Sequence, residues 1–285
     1  METSTIYPGS FGEILQGKIE NRDLLLSCPV NIYTKVKLIE CNNPIRKRYL
    51  KKSSSFLYNI LKSWGYEKYF DSLDIEINSE IPYGKGLASS TADLCGVYYC
   101  LINMFNKKFN EVELVKNCID IEPTDSIVFN KMTLFDYKSG NYKFTIGDYL
   151  SYNILAFEGD KTVDTVEFNH KNLPNLCDVK DLVPILKEAV KEKDLHKLAY
   201  VSTESIVKNQ ERLYYDFLNL VMDIKEKTSG LGIIGAHSGN VLGIIYDDAE
   251  KFKFEEKFLG GLNLKNIKIY KVKALSEILL PVECI

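Results

Sequence analysis

No two cysteines in this chain stand in a Cys-x-x-Cys spacing, although there are seven of them: Cys28, Cys41, Cys95, Cys100, Cys118, Cys177 and Cys284. Their odd number and wide scatter exclude a zinc knuckle, a dithiol redox motif and a secreted disulfide framework, and predict reduced, mostly buried thiols in a cytoplasmic protein. Basic charge is not in excess either, since 36 Lys and Arg against 39 Asp and Glu leave a formal charge of −3. A dedicated binder of nucleic acid or of an anionic membrane needs clustered Lys and Arg. The expected partner is therefore a small molecule, with neither nucleic acid nor membrane. The opening residues, Met1 to Ser10, lack the basic and apolar blocks of a signal peptide. The longest uncharged run, Thr228 to Tyr246, carries five glycines and would make a poor membrane helix. Histidine is scarce: His170, His196 and His237 are too scattered to suggest a metal cage.

What is present is the composition of an ordinary globular protein, 285 residues with 45% hydrophobic and 26% charged side chains. Val30, Ile32, Val36 and Leu38 alternate with polar neighbours and predict strand to Glu40, as does the alternation over Leu73 to Ile77. Tyr49, Phe56, Leu57, Ile60 and Leu61 recur at helical spacing within the basic stretch Arg46 to Lys62, which reads as a helix with a solvated basic face. Further helices are expected over Ser89 to Asn106 and Glu111 to Ile121, the latter stopped by Pro123, and two or three more between Asp178 and Lys227. β periodicity returns over 133–168, and the chain closes with strands at Leu231 to Ile234, Val241 to Tyr246 and Ile267 to Val272, around a helix at Ala249 to Phe258. The class is α+β, with a division near residue 150 into segments 1–150 and 151–285.

The sharpest local feature is Pro82-Tyr83-Gly84-Lys85-Gly86-Leu87-Ala88-Ser89-Ser90-Thr91-Ala92-Asp93. It joins a strand to a helix through glycines and loads the first helical turn with hydroxyls. Glycines let the backbone approach an anion, and unpaired N–H groups at a helix N-terminus point toward it, so the junction suits phosphate. Lys85 would add a compact positive charge, and Ser89, Ser90 and Thr91 offer donors or a metal-ligand oxygen. A glycine turn with a serine cap is the plainer alternative. The loop is not a Walker A motif, because Lys85 is followed by Gly86. Nor is it a dinucleotide fingerprint, because Ser89 stands where the third glycine would be.

From Pro82 to Ala92 the string resembles the second motif of the GHMP kinases, Pro-x-x-x-Gly-Leu-x-Ser-Ser-x-Ala. These are the family of galactokinase, homoserine kinase, mevalonate kinase and phosphomevalonate kinase. Two other segments fit the family in order. Tyr7 to Gly17 looks like a shortened first motif, and Gly235-Ala236-His237-Ser238-Gly239 resembles the third, glycine-rich one. Together with Ser27-Cys28-Pro29-Val30 and Glu122-Pro123-Thr124-Asp125-Ser126, the set is most similar to the L-threonine kinases of cobalamin biosynthesis. Their second motif likewise reads Ala-Ser-Ser-Thr-Ala-Asp from Ala88 to Asp93.

The resemblance implies a two-domain α+β fold, an S5-like N-terminal domain followed by a ferredoxin-like C-terminal one. It also implies ATP-dependent phosphorylation of an alcohol, L-threonine first, with homoserine, serine or another small alcohol as the competing acceptors. A non-catalytic nucleotide-binding relative is the alternative class. ATP would lie on Pro82, Gly84, Lys85, Gly86, Leu87, Ala88, Ser89, Ser90 and Thr91. Phosphoryl transfer requires charge neutralisation and positioning. Mg²⁺ is therefore expected on Ser90 and Glu122, with Asp125 and Lys85 as catalytic groups. The family's wider spacing of metal carboxylate and base would instead be met by Glu113. Glu13, Gln16, Cys28, Asp125, His237, Ser238 and Gly239 are the residues the resemblance assigns to the acceptor. A homodimer is an assembly the sequence allows.

Overall fold

The structure is a computed structural model, and it describes residues 1–162, 173–236, 238–248 and 266–278. The expected helix at Ala249 to Phe258 and the residue His237 lie outside the described residues. The chain opens with a long hairpin, β1 (Glu2–Ile19) and β2 (Arg22–Glu40). Glu20 and Asn21 both take positive φ, at 49° and 63°, which is the two-residue turn whose twist matches the strands it joins. A short 3₁₀ turn at Arg46–Tyr49 leads into α1 (Lys51–Ser63), followed by β3 (Leu73–Ser79), α2 (Ser89–Met104) and α3 (Glu111–Ile121). Then come β4 (Met132–Asp136), β5 (Lys143–Gly147) and β6 (Asn153–Gly159). The helices α4 (Leu182–Glu192), α5 (Leu195–Lys208) and α6 (Leu218–Lys227) precede β7 (Gly232–Gly235), β8 (Val241–Tyr246) and β9 (Ile267–Lys273).

Among the described residues the strands form one nine-stranded sheet in the order β5-β4-β2-β1-β7-β8-β6-β9, with β3 also paired to β2. All of these pairings are antiparallel. β2 is long enough to hold two partners, β4 at Leu24 and Leu25 and β3 from Thr34 to Glu40. The helix α2 packs across β1 and β2, and α5 lies across β7 and β1.

The strands β6, β7 and β8 are buried on both faces, and the sequence pattern follows from that. Successive residues of a strand point to opposite faces. Along β8, Val241 and Ile245 enter the main core, while Leu242, Ile244 and Tyr246 enter a second core beneath α6. β6 divides the same way, with Ile154 and Ala156 on one side and Leu155 and Phe157 on the other. A strand with no wet face reads as a continuous apolar run. The string Gly230-Leu231-Gly232-Ile233-Ile234-Gly235 has dinucleotide-loop spacing, yet it runs through β7, with no helix following it.

β1 shows no strand period in the sequence, because Pro8, Gly9 and Gly12 break its alternation. The ladder absorbs them as register shifts between Pro8 and Ser10, Ser10 and Glu13, and Glu13 and Leu15. Bulges of this kind bend a strand and re-aim its side chains. The irregular stretch carries Glu13, which pairs with Ser27 of β2 on one side and Gly235 of β7 on the other.

Candidate active site

The loop from Gly84 to Ala88 is a run of left-handed residues set between others, with φ of +68° at Gly84, +73° at Gly86 and +58° at Ala88. Such alternation turns successive N–H groups toward one side and makes a concave seat for anions. Ala88 is the residue before α2, and no side chain caps that helix. Its first-turn N–H groups therefore remain available to a ligand. A non-glycine residue in this region costs roughly 1–2 kcal/mol, which Ala88 bears here.

The three glycine-bearing segments meet at this loop. A side chain at Gly86 would lie 2.7 Å from the Ala236 Cβ. One at Gly239 would lie 1.9 Å from the Lys85 carbonyl oxygen, and one at Gly12 would lie 2.2 Å from the Gly235 carbonyl oxygen. The Ser10 N–H donates to the Leu87 carbonyl at 3.0 Å. Three stretches far apart in sequence are thus in backbone contact, at distances only glycine permits.

A cleft of about 860 Å³, open to solvent, lies over the loop. Gly84, Gly86, Leu87, Ala88, Ser89, Ser90 and Thr91 line it, and so do Glu13, Gln16, Glu122, Asp125 and Ser238. The Glu122 side chain is 3% exposed. One of its oxygens accepts a short hydrogen bond from the Ser90 hydroxyl, and the other accepts from the Lys52 ammonium at 2.6 Å. A buried carboxylate and a hydroxyl beside a cationic group form an all-oxygen donor set of the kind that suits Mg²⁺, which takes few protein ligands.

Asp125 is gripped by Thr91. The Thr91 hydroxyl donates to Asp125 Oδ2 at 2.9 Å and accepts the Asp125 N–H at 3.2 Å. Burial pushes the Asp125 carboxyl up to about 7; Glu13 and Glu122 add to the rise, and the Thr91 hydrogen bond opposes it. Asp93, one turn along α2, is raised to about 6 by burial, against the hydrogen bond donated by Thr34. A carboxyl held near neutrality in a cleft is suited to accept a proton.

Five of the expected residues do not line the cleft. Lys85 turns away from the cleft: its ammonium donates to the carbonyls of Gly159 at 2.7 Å and Lys161 at 2.9 Å and lies 3.8 Å from Glu158. With Gly84 and Gly86 both at positive φ, the side chain between them points behind the loop. Cys28 is buried, its thiol 3.1 Å from the Tyr152 hydroxyl, and burial pushes that thiol up to about 12. Glu113 accepts from Trp64 Nε1 at 2.8 Å and Tyr98 at 2.9 Å, so it ties α3 to its neighbours and stands outside the cleft. Pro82 and Gly239 frame the loop without lining the space above it.

Residues 48–129 match the family model described as the GHMP kinases N terminal domain. The chain is also 28% identical over 246 residues to an L-threonine kinase of Salmonella typhimurium, an alignment covering 84% of this chain and 81% of the relative. The likeness is to the GHMP kinases. A second L-threonine kinase, from Citrobacter freundii, is 28% identical over 84% of this chain and 85% of its own length. Among solved structures, a homoserine kinase from Cytophaga hutchinsonii superposes with a TM-score of 0.76 at 14% identity, covering 97% of this chain and 95% of that one. A mevalonate kinase does so with a TM-score of 0.69 at 16% identity, over 96% and 100%. These two establish the shared fold.

Sequence reasoning missed several residues of the cleft, namely Lys52, Tyr83, Thr124, Tyr137 and Arg212. Lys52 belongs to the basic stretch read as a solvated helix face. Most of that face is solvated, but Lys52, in the first turn of α1, reaches the cleft. The absence of any acidic residue in that turn was the available signal, because lysines there oppose the helix dipole. Arg212 lies just beyond α5 in a segment with no motif. Among the described residues, no helix is long and apolar enough to cross a membrane.

Proposed function

We propose that this chain transfers the γ-phosphoryl group of ATP to the side-chain hydroxyl of L-threonine, giving L-threonine O-3-phosphate and ADP. The observation that carries the reading is the single cleft holding an uncapped helix N-terminus, the Ser90–Glu122 pair and a Thr91-held Asp125. The L-threonine kinases of Salmonella typhimurium and Citrobacter freundii support the choice of acceptor.

The loop N–H groups and the first turn of α2 bind the phosphates. Ser90 and Glu122 hold Mg²⁺, which when bound supplies positive charge against the phosphate oxygens. Asp125 accepts the hydroxyl proton as the threonine oxygen bonds to the γ-phosphorus and the bond to the β-phosphate bridging oxygen breaks. Thr91 keeps that carboxylate aimed. An amino-acid acceptor carries an ammonium and a carboxylate, for which the cleft offers Glu13 and Arg212 respectively. Gln16 and Ser238 complete the acceptor side. Lys85 serves the loop from behind, as a strut rather than a phosphate ligand. The six described cysteines are all free thiols, which fits a reducing cytoplasm.

The test is ADP release from Mg-ATP by the purified protein against L-threonine, L-serine, L-homoserine, mevalonate and galactose, with the product identified by mass. Turnover with threonine alone is the expected result. Turnover with another alcohol would keep the kinase and replace the acceptor. Nucleotide binding with no turnover on any acceptor would refute the reading.

A further inference from the structure

The motif lysine does not face the phosphate seat, which leaves the question of which side chain brings charge there. Among the described residues the lysine and arginine side chains that line the cleft are Lys52 and Arg212. Arg212 is on the acceptor side in the reading above. Lys52 is on the nucleotide side, because its partner Glu122 accepts from Ser90 in the first turn of α2.

Three observations on Lys52 belong together. It sits in the first turn of α1, where Lys51 and Lys52 stand with no acidic residue and no capping side chain. Cations at that end of a helix cost a few tenths of a kcal/mol or more, so local helix energetics do not account for them. Its side chain is 45% exposed, so it is free to move, while Glu122 is 3% exposed and is not. Finally, the Lys52 ammonium occupies the second oxygen of the same carboxylate that the all-oxygen donor set offers to a divalent ion. A buried carboxylate left without a cation is strongly unfavourable. Lys52 supplies that cation in the ligand-free protein.

We propose that Lys52 is a further catalytic residue of the phosphoryl transfer, a mobile cation that neutralises Glu122 in the absence of nucleotide and moves to the ATP phosphates when Mg²⁺ takes its place on Glu122. The proposal rests on the kinase reading of the same cleft. It explains which group pairs with so enclosed a carboxylate before the metal arrives. It also explains why the positive charge at this site comes from α1 and not from the glycine loop.

The test compares the unaltered protein with Lys52→Gln, Lys52→Arg and Lys51→Gln. Glutamine can keep a hydrogen bond to Glu122 but carries no charge, and Lys52→Arg, which keeps the charge, separates loss of charge from loss of fold. Titration calorimetry with Mg-ADP should show affinity weakened tenfold or more in Lys52→Gln, largely restored in Lys52→Arg, and unchanged in Lys51→Gln. Mn²⁺ alone, followed by electron paramagnetic resonance, should bind Lys52→Gln at least threefold more tightly, because the competing ammonium is gone. Opposite signs for the two ligands mark an exchange between cations. The KM for the acceptor should stay within twofold. Equal Mg-ADP affinity in Lys52→Gln and the unaltered protein would overturn the assignment of Lys52 alone. Equal or weaker Mn²⁺ binding in Lys52→Gln would overturn the exchange. Failure of the unaltered protein to bind Mg-ADP would overturn the kinase reading, and the proposal with it.

Discussion

Replacing Asp125 by asparagine should stop turnover and stabilise the protein, with a stability gain that grows with pH. The carboxyl is raised from an ordinary value of 3.8 to about 7 in the folded state, chiefly by burial and next by Glu13. Between about pH 4 and pH 7 the folded chain keeps a proton that the unfolded chain releases, so the contribution of Asp125 to stability falls as pH rises. The full span, about three pH units at about 1.4 kcal/mol each, is at most about 4 kcal/mol, and solvent in the cleft reduces it. Asparagine has no charge to desolvate and its carbonyl can still accept from Thr91. The gain should therefore be near zero at pH 4 and reach about 2 to 4 kcal/mol at pH 8. For a chain of this length, with an unfolding entropy of roughly 0.6 kcal/mol/K, that is about 3 to 7 °C in Tm. Thermal melts of both proteins from pH 5 to pH 8 measure it. A gain independent of pH, or a loss at pH 8, would show that Asp125 is not a strained carboxylate. In the unaltered protein kcat/KM should rise with pH through about 7, as the base loses its proton, and Glu13→Gln should move that limb to lower pH.

Lys85→Met should destabilise by about 3 kcal/mol or more, because it leaves Glu158 facing two carbonyls in a nearly buried site without a cation. Urea unfolding measures this, and adding Glu158→Gln should recover part of the loss; full additivity of the two changes would refute the strut. Ala88→Gly should leave stability equal or raise it by up to about 1 kcal/mol, since relief of the left-handed strain exceeds the added unfolded-state freedom. A clear loss in the same assay would mean that the largely buried Ala88 methyl contributes more by packing than its backbone costs.

Two elements were legible to the residue without the structure, a helix with one wet face and a strand buried on both. The helix over Glu111 to Ile121 and the strand Val241 to Tyr246 appear with those bounds. α2 starts at Ser89 as expected and ends at Met104, short of Asn106. β1 was illegible as a strand because a bulged ladder carries no period of two. Sequence reasoning took the loop lysine for the phosphate cation because it assumed a side chain in a phosphate loop faces the phosphate. Positive φ on both sides of Lys85 turns it the other way.

By itself the sequence determined the seat: a glycine pair, an alanine and three hydroxyls between a strand and a helix, whose backbone N–H groups face an anion whatever surrounds them. It carried the family resemblance too, through strings whose spacing is local. Only the tertiary structure decided which charges look into the cleft. Glu122 lines the cleft, where Ser90 and Lys52 reach it across the fold, while Trp64 and Tyr98 hold Glu113 outside it. Lys52 and Arg212, separated by 160 positions, line one space. Spacing along the chain sets backbone conformation within a few residues. The direction of a long charged side chain is set by whatever partner lies within a few ångströms, and that partner is brought by the sheet order.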